Sequence, residues 1–224
     1  MKKFELTTEF ITNFLGTKLF RIKALVEFGE VEKGELGGFV EKEENLDHDG
    51  DAWVSGDARV YGDAWVYGDA WVSGNAWVSG DAEVSGDAWV SGDARVSGDA
   101  RVSGDARVYG DAWVYGDAWV SGDAEVSGDA MVSGDARVSG DARVSGNQMY
   151  ATVKGFGSEY RNTTFFITKD GNVCVNCGCF SGTLEQFREK VEETHKDTKY
   201  AKEYLMIADL MEMHFKEELE KIKK

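Results

Sequence analysis

From Ala52 to Asn147 the chain reads AWVSGD ARVYGD AWVYGD AWVSGN AWVSGD AEVSGD AWVSGD ARVSGD ARVSGD ARVYGD AWVYGD AWVSGD AEVSGD AMVSGD ARVSGD ARVSGN, sixteen consecutive copies of A-x-V-[SY]-G-[DN]. Within each copy Ala and Val stand two apart, so in extended chain they point to one side and the residue between them points to the other. Ala and Val therefore face in, and x faces out. Gly-Asp supplies the bend, because glycine accepts backbone angles closed to other residues and Asp hydrogen-bonds turn amides. A strand this short cannot bury an Ala-Val pair alone, so successive copies must stack into a solenoid.

This spacing resembles the hexapeptide-repeat family, whose left-handed β-helices use three hexads per triangular turn. The resemblance implies an all-β solenoid, a left-handed parallel β-helix with coils of 18 residues stacked about 4.8 Å apart. A little over five regular coils are expected. Upstream, VEKGELGGFVEKEENLDHDGDAWV reads as irregular coils, with Val40 and Leu46 in hexad phase and a two-residue slip before Val54. FELTTEF and KLFRIKALVEF alternate as a strand pair that would cover the open end, since solenoid ends expose unpaired edges. The expected organisation is an N-terminal strand cap over 1–30, a β-helix over 31–149 and a small α+β module over 150–224.

Three hexads per coil sort the outward residues into three columns. The first carries Trp53, Trp71, Trp89, Arg107, Glu125 and Arg143; the second Arg59, Trp77, Arg95, Trp113 and Met131; the third Trp65, Glu83, Arg101, Trp119 and Arg137. All seven tryptophans are thereby expected to point outward. Trp53, Trp71 and Trp89, one coil apart, would form a large apolar patch and are the expected oligomer interface. Relatives of this kind are frequently trimers, so the resemblance implies a homo-oligomer, with a trimer favoured. Arg59, Trp77, Arg95 and Trp113, with Tyr61 and Tyr115 beside them, form the expected ligand-binding wall. Indole can stack on a base and guanidinium can fork onto phosphate, which fits a small nucleotide-like anion. The bland alternative is that Arg and Trp stack on one another. Glu83 beside Arg101 reads as an exposed ion pair.

The formal charge is -16, and the repeat accounts for most of it: 15 Asp and 2 Glu against 6 Arg between Asp51 and Asn147 leave -11. A field this negative disfavours DNA or RNA. Corner Asp residues stack at coil spacing, and turn amides are expected to offset their repulsion; the motif lacks the longer pattern of calcium-binding solenoids. No apolar run could span a bilayer, and polar Glu5, Glu9 and Asn13 interrupt any leader-like start, which gives a cytoplasmic expectation.

RIKALVEFGEVEKGELGGFVEKEENL followed by GDAWV and GDARV repeats is similar to a group of phage and prophage proteins, some of them labelled acetyltransferases. The tail GFGSEYRNTTFFITKDGNVCVNCGCFSGTLEQFREKVEETH resembles a module found in their company. Acyltransferases of this architecture generally use a histidine base, often beside a loop that interrupts the helix. The repeat here has neither, and His48, in NLDHDGD, is the one histidine near a coil; His195 and His214 belong to the C-terminal segment. The expectation is a non-catalytic binding protein without cofactor, capturing a nucleotide-like ligand and, by its resemblance, sequestering a host defence signal. The alternatives are an acyltransferase and a structural or protein-binding scaffold.

After Tyr150 the pattern becomes TTFFITKDGNVCVNC, a hairpin turning at Asp170-Gly171. Thr183 and Gln186 form a capping box before Leu184, Phe187 and Val191, and Asp197 is the expected cap of a second helix through Tyr204, Ile207, Met211 and Phe215. Its lysine-rich end, Lys221 to Lys224, suits a helix C-terminus. Cys174, Cys177 and Cys179 invite zinc, with His195 as a fourth ligand. Alternation instead places Cys177 and Cys179 with Val173 and Val175 on one face and Cys174 on the other, so no metal is expected. Gly155 and Gly157 read as a turn, and Asn162-Thr163-Thr164 as a glycosylation sequon without secretory context.

Overall fold

The computed structural model describes residues 2–222, so Lys223 and Lys224 of the lysine-rich end lie outside the described residues. The chain is a parallel β-solenoid of about six turns with a small C-terminal helix and sheet module. Each hexad contributes one two-residue strand, from Trp53–Val54 to Arg143–Val144, and the strands stack on three faces. Partners are 18 residues apart, as in Trp71 with Trp89, Arg95 with Trp113 and Arg101 with Trp119. The three columns expected from the period are therefore real columns of side chains.

Hydrogen bonding along the stack repeats with the hexad. In one copy Trp71 N–H donates to Ala88 O, Ser73 N–H to Val90 O and Asn75 N–H to Gly92 O, at 2.8 to 2.9 Å. Every Ala and Val of the repeat is buried, so the interior is a narrow rod of small apolar side chains. Gly80 shows why the corner needs glycine: its φ is 73°, and an added Cβ would come within 2.9 Å of Gly98 N in the next coil.

The N-terminal end is closed as expected, by an antiparallel pair, Phe4–Thr12 and Lys18–Ala24. The strand Leu36–Val40 pairs with the second of these and, in parallel, with Arg59–Val60. Val40 meets Val60 and Leu46 meets Val66, twenty residues apart, whereas Gly50 packs on Gly68, eighteen apart. The two-residue slip thus lies in Asp47, His48 and Asp49. Phe39, Glu41 and Asp47 N–H serve the carbonyls of Ala58, Val60 and Val66, and where this irregular segment offers no backbone donor, side chains serve instead. Lys3 Nζ donates to Gly50 O at 3.1 Å and Ala52 O at 2.9 Å, and Asn45 Nδ2 to Gly62 O at 3.0 Å and Ala64 O at 2.8 Å. Burial lowers the Lys3 ammonium from its ordinary pKa, while Asp47, Asp51 and Asp69 pull the other way.

At the other end the last coil is covered by a four-stranded antiparallel sheet, Tyr150–Val153, Thr163–Ile167, Val173–Cys177 and Phe180–Thr183. Here too side chains replace a missing coil: Asn147 Oδ1 accepts from Met131 N–H and Thr164 Oγ1 from Arg137 N–H, while Asn176 Nδ2 donates to Arg137 O. Helices α1 (Leu184–His195) and α2 (Lys199–Ile222) pack on that sheet, burying Phe187, Val191, Tyr204 and Phe215. The hairpin turn at Asp170-Gly171 and the Thr183 and Gln186 capping box stand as expected. The cap of α2 is Thr198, whose Oγ1 accepts from Ala201 N–H at 3.4 Å, and not Asp197. The chain leaves α1 through Lys196 at a φ of 48° and Thr198 N–H bonds back to His195 O, so Asp197 is used up in the turn.

The corner aspartates differ from the expectation. Their backbone N–H groups bond to the glycine carbonyl of the following coil, as in Asp93 to Gly110, but their carboxylates are exposed. Asp69 Oδ1, accepting from Asp51 N–H at 2.9 Å, is the exception that lies at the irregular corner. Some carboxylates meet side chains instead, Asp63 with Lys42, Asp135 with Lys154 and Asp93 with Asn75 Nδ2, and their exposure lets solvent screen the columns.

Candidate functional site

The second column runs Phe39, Arg59, Trp77, Arg95, Trp113, Met131 in unbroken register. The guanidinium carbon of Arg59 lies 5.1 Å from the Trp77 ring centroid, and that of Arg95 lies 5.2 Å from Trp77 and 4.7 Å from Trp113. Arg21, from the cap, continues the alternation over Phe39 at 4.9 Å. Cap residue Phe14 stacks beside Trp77, with centroids 6.4 Å apart and planes 14° from parallel. Arg and Trp therefore do stack on one another along this wall. Trp77 lies between two guanidinium groups one coil away on either side, which leaves no room along the column for a base to insert, since rungs are only about 4.8 Å apart.

Neither guanidinium is spent on a carboxylate. No ion pair among the described residues involves Arg59 or Arg95, although the chain holds 41 acidic residues; Arg101, by contrast, meets Glu83 at 3.8 Å on the third face. Arg59 Nε is buried without a hydrogen-bond partner. Beside this column runs a second one, Tyr61, Ser79, Ser97, Tyr115, Ser133, at the fourth position of each hexad. Two serines between two half-buried tyrosines make a shallow shelf, three rungs or about 14 Å long, alongside Trp77 and Arg95. Trp113 meets Tyr115 edge-on at 6.5 Å and helps to close one end. All six residues expected on this wall lie together on one face. Phe14, Arg21 and Phe39 were missed; Val40 in hexad phase already implied that Phe39 heads the column, but nothing in the sequence places Phe14 or Arg21 there.

The expected oligomer interface does not survive as three tryptophans. Trp53 is fully buried, under Phe28 at 5.4 Å centroid distance and against the backbone of Gly37, because the N-terminal segment folds across it. Trp71 is half-buried, and its Nε1 donates to Ser55 Oγ at 3.1 Å; Trp89 does the same to Ser73 at 3.1 Å. Those bonds lay the indoles down on the preceding coil. The most exposed tryptophans, Trp89 at 48%, Trp65 at 42%, Trp119 at 41% and Trp113 at 39%, are distributed over all three faces.

His48 occupies the irregular corner. Its Nδ1 accepts from Lys3 N–H at 3.2 Å, which places the ring proton on Nε2, 3.2 Å from Glu43 Oε1, and the ring packs 4.4 Å from Phe4. Its one lone pair is thus committed to the backbone and unavailable to take a proton from a substrate. Lys2 first, and then His48, hold the Glu43 carboxyl below its usual pKa. His214 is exposed on α2, whereas His195 is half-buried against Tyr204.

The cysteines also depart from simple alternation. Val173 and Val175 are buried and Cys177 is half-buried, accepting from Thr163 Oγ1 at 3.1 Å, but the strand ends there and Cys179 is exposed beyond it. Burial raises the pKa of the Cys174 thiol. Among the described residues no three ligand-type side chains converge on a point that could hold a metal ion. No helix among the described residues is long and apolar enough to cross a membrane.

The model of the YdcK β-solenoid repeat matches residues 52–68, 88–104, 94–110, 100–116, 106–122 and 136–149. The matched windows fall on the stacked hexads, the last running two residues past them to Met149, and agree with the architecture: this is a repeat β-helix protein. None of the curated proteins matches the chain.

Proposed function

We propose that this β-solenoid is a non-catalytic binding protein that holds a small, multiply charged anion, nucleotide-like in size, on the wall formed by Arg59, Trp77, Arg95 and Trp113. One observation carries the reading: Arg59 and Arg95 stand among aromatic rings without a carboxylate partner, on a chain crowded with carboxylates. A guanidinium held between ring faces keeps its N–H edge pre-aimed, so little rotamer entropy is lost when phosphate arrives. Arg59 and Arg95 are two rungs apart, about 9.6 Å, a separation that suits two anionic groups of one ligand better than a single phosphate. The serine shelf between Tyr61 and Tyr115 supplies hydroxyls and two ring edges for its uncharged part. Capture rather than turnover is the mode proposed, because the wall offers donors, rings and hydroxyls without a general base to activate them.

Native mass spectrometry of the purified protein, followed by thermal-shift titration with mono-, di- and triphosphate nucleotides, tests this reading and also gives the oligomer mass. A released anion, or a shift lost in Arg59→Gln/Arg95→Gln but kept in Arg107→Gln on the first face, is the expected result. Each lost charge-assisted contact should weaken binding roughly tenfold or more. An empty oligomer that no nucleotide stabilises would leave the wall as structural stacking, and hydrolysis of acyl-coenzyme A dependent on His48 would replace binding with acyl transfer.

A further inference from the structure

The C-terminal module carries a pocket that the solenoid wall does not need. It opens between the Gly178 turn, α1 and α2, with a volume of about 280 Å³. Phe180, Phe187 and Tyr204 form its apolar side: Phe180 and Phe187 are 5.5 Å apart, and Phe187 meets Tyr204 edge-on at 5.6 Å. The thiol of Cys177 sits 3.9 Å from Tyr204 Oη, and burial, with Cys177 adding to it, pushes the Tyr204 hydroxyl up to about 12. His195 packs 5.6 Å from Tyr204 at one edge. Arg161 stands at another, its guanidinium lying so close over Gly178 that a Cβ there would come within 2.8 Å of Nη1. Among the described residues its carboxylate contact is a long 3.6 Å approach to Glu159, which is exposed and also lines the pocket.

Backbone strain marks the same place. Among the described residues, Tyr160 at φ 52° and Lys196 at φ 48° are the non-glycine residues with positive φ. Tyr160 lies between Glu159 and Arg161, and Lys196 follows His195, so both are next to pocket-lining residues in the chain. Such conformations cost free energy and persist where the surroundings enforce them, typically around binding sites. Here they flank Arg161 and His195, two of the residues that line the pocket.

We infer that this pocket binds a small aromatic carboxylate, the ring lying against the side formed by Phe180, Phe187 and Tyr204 and the carboxylate reaching Arg161, with His195 beside it. The volume suits one ring with a short chain, near the lower bound of small-molecule sites. At the mouth Arg161 and Lys190 outnumber Glu159, which favours an anion, and the apolar interior rejects a bare phosphate, which would lose hydration there without compensation. This site is separate from the solenoid wall and does not depend on the reading of that wall.

3-Phenylpropionate is a suitable probe, with 3-phenylpropan-1-ol as its uncharged counterpart. Binding is read by ligand-detected saturation-transfer NMR and by slowed N-ethylmaleimide alkylation of Cys177, with Cys174, outside the pocket, as internal reference. Saturable binding of the acid is expected, weakened roughly tenfold or more in Arg161→Met and little changed in Arg95→Gln. Arg161 is exposed, so an unchanged unfolding temperature should accompany the loss. Absence of saturable binding, equal binding of the alcohol, or equal binding by Arg161→Met would each overturn the assignment.

Discussion

Trp53 and Trp89 occupy the same hexad position in the same column, two coils apart, and meet opposite fates. Trp89 lies open on the solenoid wall with its indole N–H on Ser73, whereas Trp53 is sealed beneath the N-terminal cap with its Nε1 unpartnered. The repeat decides that both rings leave the rod of Ala and Val. What they then meet depends on whether another segment of chain folds over that coil. The middle of the molecule is governed by one local rule applied sixteen times, while its ends are governed by contacts between distant residues that occur once.

The sharpest way to break this contrast is to delete both rings. Trp53→Ala should destabilise by about 3–5 kcal/mol, as expected for a large buried aromatic, while Trp89→Ala should stay within about 1 kcal/mol, since it loses an exposed ring and one hydrogen bond. Chemical denaturation of the two variants under identical conditions measures the difference; equal losses would mean that the cap does not bury Trp53.

A smaller effect separates an interior corner from a terminal one. Gly80→Ala combines a positive φ with a close approach to Gly98, while Gly140→Ala has φ 63° but nothing within 4 Å of the added methyl. Both should pay the backbone cost of about 1 kcal/mol, and Gly80→Ala should lose about 1–3 kcal/mol more. If the two unfold at the same denaturant concentration, coil stacking tolerates a methyl and the glycine is there for φ alone.

The smallest effect concerns Lys3, whose ammonium serves the first coil in place of a preceding one. Because burial lowers its pKa in the folded protein, the unfolded chain binds that proton more tightly. Stability contributed by this site therefore rises with pH between the lowered folded value and the ordinary value of 10.5, and is flat above it. Lys3→Met should remove that rise while costing about 1–3 kcal/mol for carbonyls left without a donor. Unfolding curves collected from neutral to alkaline pH for both proteins would show it; parallel curves would contradict the burial of the charge.

These contrasts follow how legible each part was. The columns Arg59, Trp77, Arg95, Trp113 could be written from the period alone, because eighteen residues return the chain to the same face. The Thr183 and Gln186 cap was equally legible, being a contact across three residues. Asp197 against Thr198 was not, since adjacent residues with similar capping chemistry are separated only by where the turn closes. Nor was the pocket around Tyr204, whose walls come from segments that approach one another only after the sheet and both helices have packed.

Sequence by itself determined the rod: a six-residue alternation of small apolar, outward and turn residues leaves stacking as the means of burying Ala and Val, and stacking fixes every column. Tertiary structure alone decided which outward residues stay in water. Burial of Trp53, the Arg21 and Phe14 extension of the aromatic wall, and the placing of Arg161 and His195 in the lining of one pocket all depend on chain segments far apart in sequence. Periodicity encodes contacts at a constant separation, and these contacts have none.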